Sequence, residues 1–140
     1  MNYRLPKSER LHADKLIKEL FNEGSSFFLY PFKVQFFVKK DLGSGTPQVL
    51  FSVSKKKIKK AVGRNFVKRR MREAYRLNKS LIPFSAPFMS VGLIYVSSDL
   101  MEFSEIQTKL ILALKKLAGI VSENQKQHEI EHDEDRHPLE

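Results

Sequence analysis

Cysteine is absent from the 140 residues. That absence excludes disulfides, thiolate catalysis and zinc held by thiolates together. Also lacking are an apolar stretch in the first residues, MNYRLPKSERLHADK, and any uninterrupted apolar run near the roughly 18 residues that span a bilayer. A soluble, cytoplasmic protein without a membrane partner is therefore expected. Carboxylates are scarce where charge is densest: residues 51–79 hold 12 Lys or Arg and one acidic side chain, Glu73. No Gly-rich phosphate loop lies in that block. Asp14, Glu19, Glu23, Asp41, Asp99, Glu102 and Glu105 are scattered, unlike the clustered metal ligands a protein-only nuclease needs.

The chain has one domain's length, and its 41% hydrophobic residues can supply a core without staples. Lys plus Arg total 25 against 16 Asp plus Glu, a formal charge of +9. By position, the block at 51–79 carries +11 and the stretch 122–140 carries −5. Such a density of like charge destabilises a folded chain by self-repulsion, and a polyanion that releases counterions on binding compensates it. Nucleic acid fits best, with an anionic membrane surface second.

Periodicity outlines the elements. Leu11, Leu16, Ile17, Leu20 and Phe21 recur at helical spacing, with Ser8 as the expected N-cap and Gly24 as the stop. Pro31 splits the aromatic run at 27–40 into a short strand and a longer one, Phe32 to Lys39. In that strand the even positions read as core, while Lys33, Gln35, Phe37 and Lys39 share the other face. The segment Gly43 to Pro47 has the chemistry to turn the chain into Gln48 to Val53 as an antiparallel hairpin. The apolar run 88–96 suits a strand buried on both faces. Ser104 and Gln107 have capping-box spacing, opening a helix whose apolar positions extend to Val121. Residues 1–121 thus read as one domain and 122–140 as an acidic, disordered tail.

On a helical wheel, residues 62–78 place Val67, Met71 and Ala74 together, flanked by Phe66 and Leu77. Arg64, Lys68, Arg72, Asn65, Arg76 and Arg69 fill an arc of about 140° away from that stripe. A charge run is ordinarily a solvated face. This one is single-signed and Arg-rich, and Arg makes the bidentate phosphate contacts that Lys cannot.

The string Phe51 to Arg76, FSVSKKKIKKAVGRNFVKRRMREAYR, resembles the signature of the bacterial ribonuclease P protein family: a strand ending SVSKK, then a helix of the form AVxRNRxKRxxREAFR. Ser52 to Lys56, Ala61, Val62, Arg64, Asn65, Lys68, Arg69, Arg72, Glu73, Ala74 and Arg76 match it. The likeness covers about residues 8–121; its one notable departure is Phe66 in place of the second Arg of the RNR triplet. Arg70, on the same flank, is a candidate to compensate.

The resemblance implies an α+β domain, an α/β sandwich of a small, mostly antiparallel sheet and three helices. It also implies a left-handed βαβ crossover, as in the second domain of ribosomal protein S5. It further implies a protein that assists the removal of the 5′ leader from precursor tRNA, with hydrolysis performed by the ribonuclease P RNA and its bound Mg²⁺. Lys55, Lys56, Lys60, Arg64, Asn65, Lys68, Arg69, Arg72 and Arg76 would then bind that RNA. The leader would lie in a cleft between the first helix and the sheet, on Phe21, Lys33, Gln35 and Phe37; Phe21 matches a family cleft aromatic, whereas Ile17 and Gln35 stand where two others occur. A structural RNA-binding protein such as a ribosomal component is the alternative.

Two further motifs carry little. His128 to His132, HEIEH, matches the zinc-protease pattern but sits in the acidic tail without an apolar face. Ser54 to Lys57 formally fits S-x-x-K of acyl-transfer enzymes, but the partner motifs are missing.

Overall fold

A computed structural model describes residues 4–135, with side chains described as far as Ser122. The elements run α1 (Asp14–Glu23), β1 (Ser25–Leu29), β2 (Phe32–Val38), β3 (Gln48–Val53), α2 (Ala61–Asn78), β4 (Met89–Tyr95) and α3 (Phe103–Asp135). They build the expected α+β domain, a four-stranded sheet of order β1-β2-β4-β3 with three helices. The β1–β2 and β2–β4 pairs are antiparallel and β3–β4 is parallel.

The position of β4 corrects the hairpin expected between residues 32–39 and 48–53. β2 and β3 each pair with β4 and not with each other. The true hairpin is β1–β2, turning at Tyr30–Pro31, whose peptide is cis. Pro31 lies in the turn, where its missing N–H costs no ladder bond. β4, flanked on both edges and covered on both faces, is buried along nearly all its length, as its unbroken apolar sequence requires.

One face of the sheet holds the main core. Phe32, Val34 and Phe36 of β2, Met89, Val91, Leu93 and Tyr95 of β4, and Val49, Phe51 and Val53 of β3 meet α2 and α3 there. α2 contributes Val67, Met71, Ala74 and Tyr75, all fully buried. The first three are the stripe expected from the wheel. Tyr75 lies outside that stripe, and Leu77, expected as a flank, is exposed; the buried side is rotated toward Tyr75, whose ring meets Phe51 edge-on with centroids 5.7 Å apart.

α1 covers part of the opposite face. It begins at Asp14 after Ala13, so Ser8 is not its N-cap. Residues 8–11 instead run beside β3: Leu11 N donates to Val49 O at 2.9 Å, Arg10 bridges Val49 in parallel, and Gln48 Nε2 donates to Ser8 O. Leu11 is buried through this edge pairing and not through a helical stripe. An ion pair of 2.9 Å between Glu9 and Lys79 ties the segment to the end of α2.

α3 starts at Phe103, and the expected capping box does not form. Gln107 Oε1 accepts from Asn78 Nδ2 at 3.1 Å, joining α3 to the end of α2. The α3 backbone continues to Asp135. The side chains from 123 onward, including the HEIEH motif, lie outside those described, and of the expected tail, 122–140, residues 136–140 lie outside the described residues altogether.

Gly24 closes α1 so tightly that a Cβ would strike the Leu20 carbonyl oxygen and lie 2.7 Å from that of Phe36. Both obstacles are backbone. Gly24→Ala is expected to lower stability by about 1–3 kcal/mol, measured as the urea unfolding midpoint; an unchanged midpoint would show that this end of α1 can shift freely.

Candidate nucleic-acid interface

The cationic surface starts before α2. Ser54 N donates to Tyr95 O, and Ser54 O accepts from Lys57 N and Ile58 N, closing a turn after β3. Ile58 is buried and anchors this loop, so Lys55, Lys56, Lys57, Lys59 and Lys60 project outward. Arg64 Nη1 donates to Ile58 O at 3.0 Å and Lys59 O at 2.7 Å, bracing loop against helix. Sitting beside the Met71 edge of the core stripe, Arg64 is half-buried and shares its charge between the brace and the surface.

Along α2 the outward face carries Asn65, Lys68, Arg69 and Arg72, with Asn65, Arg69 and Arg72 exposed and Lys68 half-buried. Arg76 is differently placed: its Nε and Nη2 donate to Glu73 at 3.0 and 2.6 Å. These bonds hold the Glu73 carboxyl below its ordinary range. The last cation of the face is thus partly neutralised within the helix. Arg70 lies over the Phe66 ring, its guanidinium carbon 3.3 Å from the centroid, and Nη1 donates to Phe66 O. Phe66 therefore replaces a cation in sequence while supporting another in space.

The structure adds three residues from the segment before α1. Lys7, Arg10 and His12 line a hollow of about 240 Å³ together with Arg72 of α2 and Leu50 of β3. Only the pairing of residues 8–11 along β3 reveals this, because no local pattern marks them as a sheet edge.

The second surface lies on the α1 face. Leu20 points into the sheet, fully buried, while its neighbours Glu19 and Phe21 lie about 100° to either side. Glu19 pairs with Lys39 at 2.7 Å, which places Phe21 on the side of α1 away from Lys39. The Phe21 ring rests over Gly92, where a Cβ would lie 3.8 Å from Cζ, and remains 44% exposed. Lys33 is exposed on the same floor.

Gln35 is corrected, and Phe37 lies apart from Phe21 and Lys33. Gln35 is 6% exposed, and its Nε2 donates to Leu20 O at 3.1 Å. It is a strut under α1 and offers no surface to a ligand, because a buried amide must satisfy its donors locally. Phe37, half-buried opposite Ser90, stands beyond Gln35 on the Lys39 side. Between it and Lys33 lies Gln35, bonded under α1, so the face of β2 read as one strip is interrupted there.

Among the described residues no three His, Cys, Asp or Glu side chains are grouped so as to hold a metal ion, and no helix is long and apolar enough to cross a membrane.

Residues 5–118 match the Ribonuclease P family. The chain is 35% identical over 123 residues to the Ribonuclease P protein component of Porphyromonas gingivalis, covering 85% of this chain and 90% of that one. It is 40% identical over 118 residues to the protein of that name in Citrifermentans bemidjiense, covering 80% and 90%. Among solved structures it resembles the RNase P protein of Staphylococcus aureus at 27% identity and TM-score 0.65, over 79% of this chain and 96% of that one. The RNase P protein from Thermotoga maritima is similar at 28% identity and TM-score 0.64, over 77% and 96%.

Replacing Arg69 or Arg72 by Ala is expected to weaken binding to RNA and to lower the slope of log affinity against log salt by up to about one unit for each phosphate left unbound. Arg76→Ala is expected to change the slope less, because Glu73 already shares that charge. Salt titrations of the three variants check this; equal slopes for all would mean the Glu73 pair opens on binding.

Proposed function

This chain belongs to the ribonuclease P protein family and is the protein component of that enzyme, and from that premise we propose how its two surfaces divide the work. The observation that carries the proposal is the separation of a cationic surface on α2 and its preceding loop from an aromatic and basic floor under α1. Lys55, Lys56, Lys60, Arg64, Asn65, Lys68, Arg69 and Arg72 bind phosphates of the ribonuclease P RNA, with Arg76 contributing at the end of the helix. Guanidinium groups suit this role because they bond phosphate oxygens in pairs.

Phe21 and Lys33 receive the 5′ leader of precursor tRNA. A single strand is held without sequence preference by stacking on aromatic rings and by cations along its backbone, and this floor supplies both. Between the two surfaces, the hollow at the β3 edge continues the cationic lining through Lys7, Arg10 and Arg72. The family relationship favours this reading over a ribosomal component.

Mg²⁺ supports hydrolysis in the RNA subunit. The grouping of donors on this chain does not fit a metal centre among the described residues, so no protein ligand is assigned to it. The protein acts in the cytoplasm by positioning two RNAs.

Mixing the purified protein with a bacterial ribonuclease P RNA and labelled precursor tRNA at low Mg²⁺ tests the proposal. Leader removal that requires the RNA and is stimulated by the protein is the expected result; cleavage by the protein alone, or no stimulation, would count against it. Phe21→Ala is expected to reduce the preference for precursor over mature tRNA by about 1–3 kcal/mol. Equal losses on both substrates would make Phe21 a packing residue only.

A further inference from the structure

The floor under α1 continues past Lys33 to an exposed aromatic pair. In the β1–β2 hairpin Phe28 stands directly opposite Lys33, and Lys33 is opposite Ile94. Residues directly opposite in a ladder put their side chains on one face. Phe27, by contrast, packs against the core, with Lys116 of α3 4.9 Å above its ring. Alternation therefore sends Phe28 to the α1 face, where it is 59% exposed. Tyr30 joins it, 48% exposed, with ring centroids 6.5 Å apart and planes tilted by 55°. The Tyr30 hydroxyl is hydrogen-bonded to buried Ser97 at 2.8 Å, which fixes the ring from below.

Two large rings held at an exposed sheet edge cost free energy in water, and the packing of the core does not require them. Their placement indicates the occupant. They continue the floor that begins at Phe21, and the exposed cation Lys33 lies between the two aromatic stations. From Gly92, beneath Phe21, to Phe28 is two strands across and two residues along, about 12 Å by sheet spacings. An extended single strand crosses that distance in a few nucleotides. The middle of the floor offers no ring, because Gln35 is withdrawn beneath α1, so stacking is available at the two ends only.

We propose that the Phe28–Tyr30 pair is a second base-stacking platform for the 5′ leader, reached after the strand passes Phe21 and Lys33. This rests on the leader-binding role given above to Phe21 and Lys33, and extends it to nucleotides farther from the tRNA body. Bases stack on Phe28, the more exposed ring, while Tyr30 backs it.

The test uses the holoenzyme, assembled from this chain and a ribonuclease P RNA, with precursor tRNAs carrying leaders of about four or about twelve nucleotides, both within the roughly 4–16 nucleotides that a single-strand-binding fold holds. Phe28→Ala is expected to weaken binding of the long-leader substrate about tenfold, the loss of one stacked base, and to leave the short-leader substrate unchanged. Phe28→Tyr is expected to restore the long-leader affinity. Phe21→Ala weakens both. Equal affinity of Phe28→Ala and the unsubstituted protein for the long leader, with precursor still preferred over mature tRNA, would overturn this extension alone. If the unsubstituted holoenzyme shows no preference for precursor, the leader-binding role and its extension fall together. If long-leader affinity is unchanged and the protein sediments as a dimer that Phe28→Ala dissociates, the pair belongs to a second copy of the chain and the proposal is overturned.

Discussion

The parallel pairing of β3 with β4 is the constraint on which the rest of the structure depends. Parallel neighbours cannot be joined by a tight turn, so the chain must leave one end of the sheet and return over a face. α2 is that return. Its inner side is committed to the core through Val67, Met71, Ala74 and Tyr75, and a helix with one side buried must present the other. The cationic residues are thereby held outward on a rigid support. The lysine loop before α2 is fixed by the same requirement, since it carries the chain from the end of β3 to the start of the helix.

Because α2 and α3 occupy one face, α1 is left to cover the other alone, and a ten-residue helix cannot cover four strands. The open floor is what remains. Leu20 seated over Gly92, the Gln35 amide on the Leu20 carbonyl and the Glu19–Lys39 ion pair set where the helix lies and which way Phe21 faces. The ion pair is largely shielded from water, with the Lys39 side chain 12% and the Glu19 side chain 33% exposed. Its effect is orientational.

The basic helix is the most legible part of the chain, because amphipathic periodicity is a local signal and α2 follows it closely. Arg64 and Arg70 are harder to read. Both lie near the core stripe, where a guanidinium bends back to carbonyls or onto a ring, and residue type does not reveal such partners. The sheet order is hidden for another reason: the turn at Gly43 to Pro47 looks like a hairpin, but β4, distant in sequence, takes the place between β2 and β3. Residues 8–11 mislead by the same route, since an apolar residue at helical spacing can be buried by a neighbouring strand. Gln35 and Phe37 show the limit of strand alternation. It assigns a face correctly and says nothing of which helix crosses it.

The segment lying along β3 has a consequence for how the molecule survives at high concentration. β3, QVLFSV, is short, apolar and β-branched, and among the described residues its outer edge is covered only by the bonds from Leu11 and the bridge at Arg10. A bare strand of that composition is a template for pairing with other chains. Residues 8–11 act as a guard rail, clamped by Glu9 to Lys79. Proteolytic trimming of this segment would leave the main core in place and turn the folded domain into a seed for self-association, so the integrity of the guard rail bears on solubility as much as on RNA.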